Sequence, residues 1–251
     1  MKDKVVIITG GARGIGAASV DAFMEAGARV AVLDRIKGEY WKNEPLYLEC
    51  DVTSEKMIVN CVKQVLDKWG RIDVLINNAG IQRYGTVTET DSDAWDEVMN
   101  VNLKSMFLCA KAVLPSMEEK KAGVIINVSS VQAFHSQQRV SAYTTSKTAI
   151  LGLTRSIAVD YAPFIRCVAV CPGTIDTEML RESIALAEDP AAVLRECEQM
   201  HLSQRIARPA EVADLIMYLS SEKAAFMTGQ AVRIDGGLGV MIQGTVKDEA
   251  K

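Results

Sequence analysis

Tyr143 and Lys147 are the residues of this chain whose types and spacing most clearly suggest chemistry. Because they are four residues apart on a predicted helix, their side chains share a face and can approach each other. A tyrosine has a reference pKa of about 10, so it can exchange a proton near neutrality when a nearby positive charge stabilises its phenolate. The pair therefore indicates general acid–base chemistry on a hydroxyl or carbonyl group.

A glycine-rich segment far upstream, TGGARGIG at 9–16, indicates a dinucleotide site. Gly10, Gly14 and Gly16 follow an apolar predicted strand and open a predicted helix, with the spacing GxxxGxG. Glycines let the backbone approach a pyrophosphate, and the amino end of the helix supplies N–H donors and a partial positive charge. Together with the acid–base pair, this segment predicts hydride transfer.

Asp34 ends the second predicted strand, a little over twenty residues after the glycines. A carboxylate there can bind the adenosine ribose hydroxyls and would repel a 2′-phosphate, which predicts NAD as the cofactor. In the alternative, Asp34 only caps a turn and Arg35 and Lys37 are solvated charges. Arg13 weighs against NAD, because a basic residue in the glycine loop could serve a phosphate.

The elements that must position these residues alternate between short β-branched runs and longer helical stretches. This alternation predicts a single-domain α/β Rossmann fold over 1–251, a doubly wound seven-stranded parallel sheet with helices on both faces. The predicted strands are 5–8, 29–33, 46–49, 74–76, 123–128, 165–170 and 231–234. The predicted helical stretches are 17–25, 55–69, 93–117, 142–161 and 210–219.

Two segments depart from this alternation. The segment 177–208 contains two helical pieces, and Asp189 followed by Pro190 resembles a helix cap and a first-turn proline. Its position after a strand's carboxyl end predicts a substrate lid. In the tail 238–251, the apolar part 238–242 is expected to pack against protein, either beside an active-site mouth or in a subunit contact.

Composition excludes several functional classes. With 24% charged residues, 49% hydrophobic residues and a net charge of −4, nothing suggests a nucleic-acid or membrane-surface partner. No apolar run reaches the length of a membrane span, and the start lacks a signal-peptide pattern, so a cytoplasmic protein is expected. The six cysteines form no CxxC pair and the two histidines have no ligand-spaced acidic neighbour, which predicts reduced thiols and no metal.

Further motifs occur in order, and with them the chain resembles the short-chain dehydrogenase/reductase family over nearly its whole length. They are CDVT at 50–53, NNAG at 77–80 and PGTIDT at 172–177. The resemblance implies that these motifs line the adenine, central and nicotinamide parts of a cofactor cleft. The implied cofactor-binding residues are Gly10, Arg13, Gly14, Ile15, Gly16, Asp34, Asp51, Val52, Asn78, Ala79, Gly80, Tyr143, Lys147, Pro172, Gly173, Ile175 and Thr177.

The resemblance also implies four catalytic residues. Tyr143 would exchange the proton, and Lys147 would assist it and bind the nicotinamide ribose. Ser130, thirteen residues before Tyr143, would bind the substrate oxygen, whereas Ser129 is interpreted as structural. Asn102 would help to hold a water in the proton relay.

A more specific resemblance, to bacterial and archaeal aldose dehydrogenases, rests on INVSSVQA, on the run 142–177 and on the short link between Asp34 and Leu46. It implies oxidation of a sugar or polyol with NAD. The expected substrate-facing residues, which could instead be merely solvated, are Gln82, Arg83, Tyr84, Ser130, Gln132 and Tyr143.

Two other functions remain open. The first is a carbonyl reductase acting on a 3-oxoacyl thioester, against which Asp34 weighs. The second is a non-catalytic dinucleotide-binding subunit, against which the complete set of four catalytic residue types weighs.

The resemblance further implies a homotetramer assembled through two long central helices. The stretch 149–161 carries more apolar residues than one core-facing stripe needs, among them Ile150, Leu153, Ile157 and Val159. In the alternative, this surplus is covered within the monomer.

Overall fold

The computed structural model describes residues 1–39, 41–185 and 187–240. Seven parallel strands form one sheet in the order β3-β2-β1-β4-β5-β6-β7. The strands are β1 Val5–Thr9, β2 Arg29–Asp34, β3 Leu46–Glu49, β4 Val74–Asn77, β5 Gly123–Val128, β6 Ile165–Pro172 and β7 Ala231–Ile234. The predicted doubly wound parallel sheet is confirmed, and its strand order reverses between β1 and β4, where such folds bind ligands.

Helices cover both faces of the sheet. They are α1 Gly14–Glu25, α2 Glu55–Trp69, α3 Ser92–Met99, α4 Ser105–Lys120, α5 Ser141–Asp160, α6 Glu178–Ile184, α7 Pro190–Gln199 and α8 Pro209–Leu219. Along β1, Val5 and Ile7 pack into the core under α2, α4 and α5, whereas Val6 and Ile8 pack under α1 and α8. Burial on both faces explains why the strand is apolar throughout.

The predicted helical stretch 93–117 is divided in the structure. A π-helical turn, Asn100–Lys104, separates α3 from α4. A single π turn shifts the helical register by only about one residue, and the helices on either side keep their ordinary apolar periodicity. The sequence pattern therefore predicts one continuous helix. The turn matters because it carries Asn102, whose side chain is fully buried.

The segment after β6 forms two helices, as the sequence predicts. Thr177 caps α6 by accepting a hydrogen bond from the N–H of Leu180 at 3.4 Å. Asp189 caps α7 by accepting from the N–H of Ala192 at 2.9 Å. After β7, the chain makes a short 3₁₀ turn at Leu238–Val240. The rest of the predicted tail, 241–251, lies outside the described residues.

All six cysteines are free thiols, and five of them are buried. Across the described ranges, no helix combines the length and the apolar character needed to cross a membrane.

Candidate active site

The carboxyl ends of the central strands bring the candidate residues to one edge of the sheet. The glycine loop follows β1, the 77–80 segment ends β4, Ser130 follows β5, and the 172–177 segment ends β6. α5 lies beside this edge and carries Tyr143 and Lys147. Residues that are far apart in the sequence thus meet at the place where α/β sheets bind ligands.

The glycine loop packs directly on backbone atoms. Gly10 has a positive φ of 64°, and a Cβ added to it would lie 2.8 Å from the Cα of Ala79. A Cβ on Gly16 would lie 2.0 Å from the carbonyl oxygen of Gly10. The Asn78 amide donates to the carbonyl oxygen of Gly10 at 2.8 Å and to that of Thr9 at 3.2 Å. Close backbone approach therefore excludes a side chain at Gly10 and at Gly16.

The amino end of α1 presents free donors. Its first residue is Gly14, and no side chain of the described residues caps its first turn. Ile15 and Gly16 continue this first turn. Unpaired N–H groups at a helix start, together with the helix dipole, are suited to bind a phosphate.

Asp34 faces the glycine loop from the end of β2. Its Oδ2 accepts a hydrogen bond from the N–H of Ala12 at 3.0 Å, and its Oδ1 accepts from the N–H of Ile36 at 3.2 Å. The carboxylate thus holds its own turn and also reaches the glycine loop.

Two of the three basic residues that could attract a 2′-phosphate, Arg13 and Lys37 but not Arg35, pair with carboxylates among the described residues. The Lys37 ammonium lies 2.7 Å from the Glu44 carboxylate. The Arg13 guanidinium lies 4.0 Å from the carboxylate of Glu182 on α6. These pairs are exposed, so they modulate rather than abolish the attraction of either cation for a phosphate.

The CDVT segment lies beside Asp34. The N–H of Cys50 donates to the carbonyl oxygen of Asp34 at 2.9 Å, and Val52 is buried. The Asp51 carboxylate accepts from the N–H of Thr53 at 2.9 Å and from its hydroxyl at 2.8 Å. The backbone hydrogen bond from Thr53 is the main reason why the pKa of Asp51 is lowered.

Tyr143 and Lys147 lie next to each other on α5. The Lys147 Nζ lies 5.5 Å from the centroid of the Tyr143 ring and donates to the carbonyl oxygen of Val128 at 3.0 Å. Burial lowers the pKa of Lys147 to about 8. Burial also raises the pKa of Tyr143 to about 12, an effect that a hydrogen bond with Ser130 opposes.

The two serines after β5 have different partners. The Ser129 hydroxyl donates to the carbonyl oxygen of Lys147 at 2.7 Å, so it ties β5 to α5. The Ser130 oxygen accepts from the N–H of Gln132 at 3.1 Å, so its O–H can donate to the Tyr143 oxygen or to a substrate oxygen beside it. Ser130 is therefore the serine that can bind an oxygen beside Tyr143.

Asn102 braces the site from the π-helical turn. Its amide exchanges two hydrogen bonds with the backbone of Ile81, at 2.8 and 2.9 Å, and donates to the Ser146 hydroxyl at 3.1 Å. The Ser146 hydroxyl donates in turn to the carbonyl oxygen of Tyr143 at 2.7 Å. This places Asn102 between the 77–81 segment and α5, while its role in holding a water stays a prediction.

The 172–177 segment closes the edge at the end of β6. The methyl carbon of Thr177 lies 3.0 Å from where a Cβ on Gly14 would be, so the segment reaches the glycine loop. Gly173 donates its N–H to Ile234 at 3.0 Å, whereas Pro172 and Ile175 are buried.

Comparisons with known proteins identify the family. A family model described as enoyl-(acyl carrier protein) reductase matches residues 10–239. A dehydrogenase/reductase SDR family member 6 of Aquarana catesbeiana is 41% identical over 241 residues, which cover 93% of this chain and 96% of the relative. The chain belongs to the short-chain dehydrogenase/reductase family. It is therefore an oxidoreductase of a family that uses a nicotinamide cofactor.

Two further relatives show how broad the family's chemistry is. The ligand-free structure of Thermoplasma acidophilum aldohexose dehydrogenase superposes with a TM-score of 0.94 at 38% identity and covers 98% of each chain. A 3-oxoacyl-(acyl-carrier-protein) reductase of Thermotoga maritima is 36% identical over 250 residues, covering 95% of this chain and 98% of the relative.

For His201, the sequence predicts only that it is not a metal ligand. In this short-chain dehydrogenase/reductase it is buried and connects α7 to the 172–177 segment. Its Nε2 lies 3.2 Å from the N–H of Thr174, and its Nδ1 lies 2.7 Å from the carbonyl oxygen of Cys197. The two partners require a neutral ring protonated at Nδ1. No signal in the sequence distinguishes this histidine from a surface residue.

The residues expected to face the substrate contact other parts of the short-chain dehydrogenase/reductase through their side chains. The Tyr84 hydroxyl hydrogen-bonds that of Ser183 on α6, which joins the loop after NNAG to the predicted lid. Gln82 is half-buried beside it. Arg83 is turned toward α3, where it pairs with Glu97 at 2.9 Å.

Gln132, the other expected substrate residue, is held by protein partners. Its amide nitrogen donates to Gln137 at 3.0 Å, and its amide oxygen accepts from Thr144 at 3.4 Å. Gln132 therefore supports the loop after Ser130.

The start of the tail is anchored near this loop. Gly239 donates its N–H to Asp235 at 3.1 Å and accepts from Arg233 at 2.9 Å. The Arg233 guanidinium lies 5.6 Å from the centroid of the Phe134 ring. The described part of the tail thus packs close to the segment that follows Ser130, although Val240 itself is 63% exposed.

Proposed function

We propose that this short-chain dehydrogenase/reductase oxidises an aldose at its anomeric carbon with NAD. The observation that carries the substrate class is the similarity to aldohexose dehydrogenase, which spans 98% of the chain. The acid–base residues at the carboxyl edge of the sheet support the oxidoreductase part.

The site fits a nicotinamide dinucleotide. Gly10 and Gly16 leave a cradle that a Cβ would fill, and the amino end of α1 opens toward it. We propose that the glycine loop, from Gly10 through Gly16, holds the pyrophosphate and that Asp34, Asp51 and Val52 hold the adenosine. The 77–80 segment would line the middle of the cleft. Tyr143, Lys147 and the 172–177 segment would hold the nicotinamide half. When bound, the nicotinamide supplies the acceptor for the hydride that leaves the anomeric carbon.

The preference for NAD rests on Asp34. Its carboxylate lies at the end of β2, where it can accept hydrogen bonds from ribose hydroxyls and repel a 2′-phosphate. The carboxylates paired with Lys37 and Arg13 partly offset the attraction of these two cations for a 2′-phosphate.

In the proposed reaction, Ser130 donates a hydrogen bond to the substrate oxygen, and Tyr143 takes the hydroxyl proton. A phenol with a pKa of about 12 is a poor base near neutrality, so its phenolate needs additional stabilisation. The Lys147 Nζ lies 5.5 Å from the centroid of the Tyr143 ring, and a positive charge beside the ring favours the ionised form of the phenol. Because deprotonated Tyr143 is the base, oxidation should accelerate and reduction should slow as the pH rises.

A turnover screen tests the proposal. The purified protein is assayed with aldoses, polyols and 3-oxoacyl thioesters, each with both the phosphorylated and the unphosphorylated nicotinamide cofactor. We expect the highest kcat/KM for an aldose with NAD. Highest efficiency for a thioester with NADPH would identify a carbonyl reductase instead. Dinucleotide binding without turnover across the whole panel would identify a non-catalytic subunit.

We also propose a cytoplasmic homotetramer of single-domain subunits, with α4 and α5 in the contact. Ile150 and Ile157 are buried within the subunit and Leu153 is partly buried against the core, which weakens part of the sequence argument. Val159 on α5 is 77% exposed and Phe107 on α4 is also exposed, so these two side chains carry the proposal. Sedimentation at micromolar concentration tests it, and a monomeric species would contradict it.

A further inference from the structure

Trp41, on the link between β2 and β3, lies against the glycine loop. Its indole Nε1 donates a hydrogen bond to the carbonyl oxygen of Gly11 at 2.9 Å. The ring is half-buried, packs against the core beneath α1 and α8, and lies 6.3 Å from the ring of Tyr47. A buried indole N–H usually has a partner, and here the partner is a backbone atom of the candidate cofactor site.

This hydrogen bond is one half of a clamp on a single peptide group. The carbonyl of Gly11 and the N–H of Ala12 belong to the same planar unit. Trp41 holds the carbonyl end, and the Asp34 carboxylate holds the N–H end at 3.0 Å. With both ends held on opposite sides, the plane of this peptide cannot rotate without breaking two hydrogen bonds.

The orientation of this peptide matters for the residues that follow it. Arg13 and Gly14 come directly after Ala12, and α1 begins at Gly14. If the peptide plane rotated, its carbonyl oxygen would turn toward the Asp34 carboxylate, and the N–H groups at the helix start would lose their common direction. The two hydrogen bonds of the clamp therefore orient the backbone N–H groups of the glycine loop and of the start of α1.

The position of the indole is itself specified by its surroundings. A Cβ added to Gly38 would lie 2.4 Å from the nearest indole atom, so the ring lies directly on the backbone of Gly38. The next residue, Lys42, is anchored to α1: its N–H donates to Asp21 at 3.0 Å and its ammonium lies 2.8 Å from Glu25. The link is thus packed on the ring before Trp41 and fastened to α1 directly after it.

We propose that Trp41 is a positioning residue for the dinucleotide site and that it acts through the Gly11–Ala12 peptide. It raises affinity for the adenosine diphosphate half of the cofactor and leaves proton transfer at Tyr143 unaffected. The inference rests on the proposed function only in that a dinucleotide binds at the glycine loop. It does not depend on the sugar, on the direction of the reaction or on the choice between the two nicotinamide cofactors.

The test uses ADP-ribose, which contains the adenosine and pyrophosphate but lacks the nicotinamide. Trp41→Phe keeps the aromatic ring and removes the N–H. We expect it to weaken ADP-ribose binding roughly 3- to 10-fold by calorimetric titration, the effect of one lost neutral hydrogen bond. KM for the cofactor should rise by the same factor, while kcat and the KM for the second substrate stay unchanged.

Two further variants complete the design. Gly38→Ala keeps the indole N–H but displaces the ring, so it should also weaken ADP-ribose binding. Trp95→Phe, on α3, is the matched control and should bind ADP-ribose as the wild-type protein does. Wild-type affinity for ADP-ribose in Trp41→Phe would overturn the proposal. So would a variant in which kcat and the melting temperature also fall and the KM of the second substrate also rises, because that result would indicate general damage to the fold. Turnover with NADP alone would refute the proposed cofactor preference and leave the ADP-ribose comparison valid.

Discussion

The two halves of the candidate site are held together in different ways. On the cofactor half, backbone packs on backbone: a Cβ on Gly16 would lie 2.0 Å from a carbonyl oxygen, and Asn78 binds two carbonyl oxygens of the glycine loop. On the substrate half, exposed side chains meet, as Tyr84 meets Ser183. Backbone contacts allow few residue types, whereas side-chain contacts allow many. The cofactor half can therefore be recognised by sequence motifs, and the substrate half cannot.

Tyr143 and Lys147 lie at the boundary between the halves. Lys147 is buried and fixed to the carbonyl oxygen of Val128, like the cofactor half, while Tyr143 is only half-buried. The comparison therefore predicts that substitutions have smaller effects as they move from this boundary and the glycine loop toward the lid.

The largest effect is expected at the boundary. Tyr143→Phe keeps the ring and removes the transferable proton, so kcat should fall about 10²- to 10⁴-fold while ADP-ribose affinity is retained. Tyr161→Phe, at the end of the same helix, is the matched control and should keep wild-type kcat. Steady-state kinetics decides the matter, and the proposed mechanism is wrong if Tyr143→Phe keeps more than about a tenth of kcat.

Gly16→Ala tests the backbone packing of the cofactor half. Its Cβ would collide with the carbonyl oxygen of Gly10, which cannot move without distorting the loop. We expect a destabilisation of about 1–3 kcal/mol and at least a tenfold loss of ADP-ribose affinity. A Cβ on Gly152 meets only one arginine nitrogen, at 4.0 Å, so Gly152→Ala should leave affinity unchanged. Unchanged affinity in Gly16→Ala would contradict the view that this loop needs bare backbone.

Asp34→Ala tests the charge on the cofactor half. Removing the carboxylate takes away the proposed ribose hydrogen bonds and the repulsion of a 2′-phosphate, so the NAD-to-NADP ratio of kcat/KM should fall roughly 10- to 100-fold. Glu49 pairs in register with Asp34 and is exposed, which makes Glu49→Gln the control for a general loss of negative charge. An equal fall in both variants would show that long-range charge, rather than Asp34 itself, sets the preference.

Much of the cofactor half could be predicted from the sequence because its physical requirements restrict the residue types. Each predicted strand matches an observed strand to within two residues, since burial on both faces requires apolar residues. Asp34 could be located because it ends the second strand at a fixed distance from the glycines.

Other features leave no comparable pattern. The clamp by Trp41 depends on how the link between β2 and β3 folds back, and the role of His201 depends on where α7 ends relative to β6. Each of these contacts joins segments that are distant in the sequence through a single side chain. The spacing of residues along the chain therefore does not predict them. The π-helical turn at Asn100–Lys104 escaped detection because its flanks have ordinary helical periodicity.

The smallest effect is expected at the lid. Tyr84→Phe removes the hydrogen bond to Ser183 but keeps the ring, and Tyr84 is 49% exposed, so water can replace the lost partner. We expect the KM of the aldose to rise about 2- to 3-fold with little change in kcat or in ADP-ribose affinity, because a neutral exposed hydrogen bond contributes at the low end of the usual range. Tyr218→Phe removes a comparable exposed hydrogen bond on α8 and should leave the KM, kcat and ADP-ribose affinity unchanged.

A double variant tests whether the contact between Tyr84 and Ser183 positions the predicted lid. In that case Ser183→Ala should raise the KM of the aldose as Tyr84→Phe does, and the double variant should have no higher KM than either single variant. Additive effects of the two substitutions on KM would mean that Tyr84 and Ser183 act independently. A loss of kcat as large as that of Tyr143→Phe would mean that Tyr84 acts on the reacting groups directly, so that large effects would not be confined to the cofactor half and its boundary.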